Sequence, residues 1–260
     1  MTEDDIPLLT EYRNVAHDAQ TLTFLPRDTD LQLEAVEDLT EFIQTVNARQ
    51  QEAIEHRDED TANLLLAMRC GCKAVRAELN MWLALKKQDW GNAWSELVDA
   101  QDFLQSAQAA HAITRTEDIQ NLREKYDWIE TFVFPPQTYL SPGLVVDQFL
   151  CSICGADYQD CDHIAGLPYW GQICSRIIEE ATVREVSVVD EPEDKNCRIT
   201  HFSTDDGMVR SKMTWEKFVP DDDSRLASLT EGGNRFTGIV LQPNGVYSQE
   251  EIDTLQQTDT

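Results

Sequence analysis

Three cysteines and a histidine fall within one short stretch, Cys151-Ser-Ile-Cys154-Gly-Ala-Asp-Tyr-Gln-Asp-Cys161-Asp-His163, and a further cysteine follows in Tyr169-Trp-Gly-Gln-Ile-Cys174. Thiolate and imidazole are the donors that suit a tetrahedral zinc ion. A C-x2-C pair turns two sulfurs toward one point while leaving backbone N–H groups to bond to them. Gly155, directly after the pair, allows the positive-φ turn that such a knuckle often requires. Cys161 and His163 then offer a third and a fourth ligand. The expectation is a zinc site built from Cys151, Cys154, Cys161 and His163, with Cys174 competing for the fourth position and Cys197 a distant reserve.

Two other chemistries compete with a structural metal. A redox-active C-x-x-C of the thioredoxin kind opens a helix after a strand in an α/β fold. Here more cysteines and a histidine follow at once, and no βαβ pattern surrounds them. A catalytic zinc keeps one position open for water and has a general base nearby. Asp160 and Asp162 are the nearest carboxylates, and they fit equally well as solvated loop residues. Four close ligands, three of them thiolates, read as closed and structural. The chain has 7 cysteines, an odd number, so complete intrachain pairing is impossible. Clustered cysteines in an intracellular chain favour metal over disulfides. Cys70 and Cys72 lie in a helical run and read as small buried residues.

The elements that must position this cluster divide at about residue 134. Residues 1–29 form an acidic arm with poor periodicity and at most a short helix near Glu11–Gln20. A strong helix follows from about Asp30 to Arg57, with Thr29 and Gln32 at capping-box spacing and a stripe of Val36, Leu39, Phe42, Ile43 and Val46. A second helix, about Thr61 to Lys87, is apolar on a wide face and expected to be deeply buried. A third runs from Trp90 to about His111. A fourth, about Thr116 to Phe132, has Thr114 and Glu117 at capping-box spacing and stops at Pro135-Pro136. Residues 30–134 read as a four-helix domain and 135–143 as a linker. The segment Leu85 to Trp94 resembles one tetratricopeptide-type hairpin turn, but no 34-residue repeat exists, so an ordinary antiparallel helix pair is the better reading. Residues 144–260 read as a mainly β, zinc-binding domain. Thr182–Asp190 alternates as a strand. Cys197–Phe202 and Met208–Trp215 flank Asp206-Gly207 as a hairpin, Arg235–Leu241 is a last strand, and Ser248 and Glu251 mark a short C-terminal helix. The fold class is α+β, a helical bundle followed by a zinc-stapled β region.

Forty-eight acidic residues against 21 basic ones give a formal charge of −27 and a pI near 4.3. Such a surface repels nucleic acid and anionic membrane. Residues 151–200 alone carry ten acidic and four basic side chains, which argues against nucleic-acid contact through the knuckle. Adaptation to high salt, a basic protein partner, and a merely acidic cytosolic protein each account for the charge. The N-terminus lacks the features of a signal peptide and no run is apolar enough to span a membrane, so the expected location is cytoplasm or virion rather than outside the cell.

The pattern Cys-x-x-Cys-Gly…Asp160-Cys-Asp-His163-Ile-x-Gly166-x-x-Tyr169-x-Gly171, followed by Glu185-Val-Ser-Val-Val-Asp-x-Pro192, resembles a module of uncharacterised prokaryotic and phage-related proteins. Its second part is similar to a segment of tailed-phage prohead proteases. The likeness covers residues 151–200 at most. The protease likeness would imply His163 as general base and Ser187 as nucleophile, with no acid partner or oxyanion turn evident. The remaining histidines stand alone. The expectation is a non-enzymatic structural or protein-interaction protein of a viral or phage-like assembly in a salt-loving host, with protein partners, no nucleic acid and no membrane. A prohead-protease-like hydrolase and an acidic mimic of nucleic acid are the alternatives.

Overall fold

The computed structural model describes residues 5–221, 224, 226–230 and 235–240. Five helices come first: α1 (Asp5–Gln20), α2 (Thr29–Glu55), α3 (Glu59–Lys86), α4 (Trp90–Ala110) and α5 (Glu117–Val133). Small sheets follow, built from β1 (Tyr139–Cys151), β2 (Pro168–Tyr169), β3 (Gln172–Ile173), β4 (Arg176–Val189), β5 (Ile199–Ser203), β6 (Val209–Ser211), β7 (Lys217–Phe218) and β8 (Phe236–Gly238). The fold is α+β, as the periodicity predicts. None of the helices is long and apolar enough to cross a membrane among the described residues.

The helix ends follow from a few polar side chains. Asp28 caps α2, its Oδ1 accepting from the N–H groups of Asp30 (2.9 Å) and Leu31 (3.3 Å). The cap therefore sits one residue before the expected Thr29, and with Leu31 three residues on it is a simple side-chain cap and not a capping box. Gln32 is fully buried instead and donates to the carbonyls of Leu22 and Phe24, holding the preceding turn closed. Thr114 does not cap α5 either. Its hydroxyl donates to the Ala107 and His111 carbonyls inside a short 3-10 turn, and Thr116 meets the Ile119 N–H. The α2–α3 and α3–α4 connections share one design. Arg57 (φ 57°) and Gln88 (φ 59°) take the left-handed conformation that ends a helix. Asp58 and Asp89 follow at once, donate back to Ala53 O (2.9 Å) and Ala84 O (3.0 Å), and cap the next helix. The arm expected to be irregular up to Glu11 is helical from Asp5.

Helix α3 packs against both α2 and α4, and no residue from Thr61 to Lys86 is exposed. Cys70 and Cys72 are buried in it as small apolar side chains. One carboxylate sits in this core: Glu78 is fully buried and its Oε1 lies 2.6 Å from Lys125 Nζ of α5. Trp82 Nε1 also donates to Oε1 (3.3 Å). Lys125 reaches on to Thr23 Oγ1 (2.7 Å) and lies over the Phe24 ring, so this ion pair ties α5 to α3 and to the turn after α1.

The chain divides into two compact units. One holds residues 1–128 and 146–181, and the other holds 129–145 and 182–260. The cysteine cluster thus shares a unit with the helices. In the second unit β6 and β5 are the inner strands of a four-strand sheet in the order β7-β6-β5-β8. β5 and β6 pair antiparallel with Phe202 opposite Arg210, and Gly207 (φ 76°) forms the turn, which is the hairpin read at Asp206-Gly207. β8 lies within the expected last strand. The segment read as a linker enters β1 at Tyr139, and β4 begins at Arg176, six residues before the expected Thr182. β1 and β4 form a two-stranded ribbon, and Pro142 lies within β1, an edge strand, where proline is found in sheets. The expected C-terminal helix at Ser248 lies outside the described residues.

Burial pushes the Glu78 carboxyl above its ordinary value near 4.5, against the pull of Lys125. A raised carboxyl favours folding below its unfolded value, and that contribution is lost as pH rises through the folded one. The melting temperature of the wild type is expected to carry this downward component on the alkaline side of 4.5, and Glu78→Gln to remove it. Lys125→Met leaves the carboxylate uncompensated, is expected to cost about 3 kcal/mol, and should steepen the same pH dependence in thermal melts.

Candidate metal centre

The backbone around Cys151 and Cys154 is a tight knuckle. Cys151 ends β1, its N–H donates to Ala156 O (2.9 Å), and the Gly155 N–H returns to Cys151 O (2.9 Å). Gly155 takes φ 67°, the left-handed conformation expected of it. The Ile153 N–H donates to the Cys151 sulfur (3.4 Å), the contact that lets a backbone stabilise a thiolate. Asp157 Oδ1 caps the short turn Tyr158–Asp160 by accepting from Gln159 N (2.9 Å), and that turn delivers Cys161 and His163.

The donor atoms of Cys151, Cys154, Cys161 and His163 all lie within 4.8 Å of one another. The four residues read from the sequence are therefore brought together, and they could hold a metal ion. Cys151 is fully buried, Cys161 and His163 are half-buried, and Cys154 is exposed, so the cluster lies at the surface with one deep corner. The donor set tests well as a cation site: His163 Nδ1 is buried and has no hydrogen-bond partner, a lone pair that a cation would satisfy. Burial raises the Cys151 thiol, but the N–H groups of Cys154 and Ile153 and the neighbouring thiols outweigh it and bring Cys151 down to about 6. A thiolate at neutral pH is the form a metal takes.

Two tyrosines brace the loop that carries His163. Tyr169 stacks edge-on against the imidazole (4.7 Å between centroids) and its hydroxyl accepts from Ile164 N (3.1 Å). The Tyr158 hydroxyl accepts from Ala165 N (2.8 Å), and Arg176 lies over the Tyr158 and Phe149 rings. Gly166 (φ 88°) turns the chain into β2, and Trp170 (φ 49°) with Gly171 (φ 77°) forms the two-residue loop to β3. Two successive positive φ values make it a type I′ turn, the tight hairpin link whose twist matches the strands.

That hairpin seats the cluster on the helices. Gln50 of α2, buried, donates to Gly171 O (3.0 Å), and the Gly171 N–H donates to Asn63 Oδ1 of α3 (2.8 Å). Trp170 N donates to Glu59 Oε1 (3.3 Å). Ile173 packs on Leu66, Ala67 and Cys70 of α3 and on Ala107 and Ala110 of α4. Sequence reasoning passed over Gln50 and Asn63. The available signal was a glutamine at a core position, four residues after Val46 and three before Ala53 on the buried stripe of α2. Cys197 lies in the other unit, where its thiol donates to Asp194 Oδ2 (3.6 Å). Ser187 is exposed in β4.

Comparison with protein-family models, with curated proteins and with solved structures finds no match to this chain.

A Cβ at Gly171 would collide with the Gln50 side chain and would sit on a backbone with φ 77°. Gly171→Ala is expected to destabilise the first unit by about 1–3 kcal/mol, seen in thermal melts. Amide hydrogen exchange should show lost protection at residues 171–174 before α3 is affected.

Proposed function

We propose that this chain is a non-enzymatic, zinc-stabilised structural or protein-interaction protein. One observation carries the reading: three thiols and an imidazole from the end of β1 and the irregular segment after it converge within 4.8 Å. Four protein donors fill a tetrahedral zinc, leaving no position for a reacting water, so the ion's work is to close the loop. The segment from Ser152 to Leu167 has little regular structure and buries little apolar surface, and in such a segment the free energy of metal binding becomes free energy of folding. The docking contacts of Gly171 and Ile173 carry that rigidity to α2, α3 and α4.

The interaction part of the proposal draws on β4. Along Arg176–Val189 every residue but the last is exposed, including Ile177, Ile178, Val183, Val186 and Val188. An open strand rich in exposed branched apolar residues is a liability in isolation and an asset in an assembly. The formal −27 keeps such a protein soluble and selects partners with basic surfaces. A larger assembly, such as a virus-like particle in a salt-rich host, is the setting this combination fits.

Purified protein is expected to carry one zinc per chain by elemental mass spectrometry. Chelation should lower the melting temperature of the first unit, and Cys154→Ser should weaken zinc binding by about 100-fold or more, beyond the 10–100-fold typical of residues that only support ligands. Protein that is free of metal and indifferent to chelator would overturn the proposal.

A further inference from the structure

A further thiol lies beside the four grouped donors. The Cys174 sulfur lies 3.9 Å from the Cys151 sulfur, and Cys174 is buried. Two thiolates on one zinc, each about 2.3 Å from the ion at the tetrahedral angle, stand about 3.8 Å apart. The Cys151–Cys174 separation matches the edge of a zinc–thiolate tetrahedron.

That separation is fixed by the backbone. Ser152 N donates to Ser175 O (3.0 Å), and Ser175 N donates to Ser152 Oγ (2.8 Å), so the residues following the two cysteines are tied together. Cys174 N donates to Leu167 O (2.9 Å), and Gly166 N donates to Cys174 O (2.8 Å). Ile173, one residue earlier, is anchored on α3 and α4. By contrast, Cys161 to Ile164 lies in neither helix nor strand, and His163 is half-buried. The rigid side of the centre is Cys151 with Cys174, and the adaptable side is the loop that carries His163.

We propose that Cys174 is a fifth donor of this centre, a thiolate that takes the fourth metal position in place of His163. The inference rests on the metal reading above. Three thiolates and a neutral imidazole leave a zinc site at one negative charge, and four thiolates leave it at two. In a buried corner of an acidic chain the imidazole form carries the smaller charge, and the four-thiolate form is the one to which the site retreats when His163 leaves. The metal–His163 bond is replaced by a metal–Cys174 bond, and the Cys174 S–H bond breaks, its proton passing to solvent.

Cobalt(II) reports the donor set, because its visible bands distinguish three sulfurs and a nitrogen from four sulfurs. The full-length chain, reduced, would be titrated with cobalt(II) as wild type, His163→Ala, Cys174→Ser, the double variant and Cys151→Ser, with helical circular dichroism as the folding control. Cys174→Ala serves if Cys174→Ser does not fold. His163→Ala is expected to keep one cobalt and to show a four-sulfur spectrum. Cys174→Ser should keep one cobalt with a three-sulfur, one-nitrogen spectrum. The double variant should lose at least about ten-fold in affinity relative to either single variant. A His163→Ala protein that loses cobalt as fully as the double variant would overturn the proposal while leaving the metal centre standing. Wild type and Cys151→Ser that bind cobalt equally would overturn the metal reading and this inference with it.

Discussion

Helix α3 has no side left for water, and that constraint organises the first unit. A helix buried on every face must be covered on every face. α2 and α4 cover two sides, α1 and Tyr126 of α5 contribute another, and the β2–β3 hairpin lays Ile173 over Leu66, Ala67 and Cys70. The cysteine knuckle is the extension of that hairpin. Its position on the helices is therefore set by a demand of the helical core, and its internal geometry by the donors it gathers.

The core also explains where polar groups were placed. A hairpin turn pressed against helices presents backbone N–H and C=O groups that water no longer reaches. Gln50 and Asn63 answer those of Gly171, and Gln32 answers the carbonyls of the α1–α2 turn. Each is a short amide in a place where an apolar side chain would leave a buried backbone group without a partner. Glu78 with Lys125 is the charged version of the same solution and the costlier one, since one carboxylate oxygen, Oε2, has no partner.

The centre itself joins two kinds of support. Its deep corner, Cys151 beside Cys174, is held by backbone hydrogen bonds between strand ends, and its outer part, Cys161 and His163, is held by a loop braced with tyrosines. The two parts of the cluster therefore differ in what holds them.

The sequence by itself determined the cluster of Cys151, Cys154, Cys161 and His163, the four long helices and the Asp206-Gly207 hairpin. These are local facts: ligand spacing, a 3.6-residue stripe and a turn dipeptide act over a few residues, and the chain cannot avoid their consequences. The capping Asp28 was legible in principle but was outranked by the neighbouring Thr29 with the right spacing. Only the tertiary structure decided that residues 146–181 cluster with the helices, because that rests on Gln50 and Asn63 meeting Gly171 across more than a hundred residues. Only the structure set Cys174 at 3.9 Å from Cys151. It also made a strand of Tyr139–Cys151, where proline and glycine mimic a linker, because the partner strand β4 supplies the pairing that local propensity lacks. Distances between residues far apart in sequence are settled by packing and by backbone hydrogen bonds, and no local pattern encodes them.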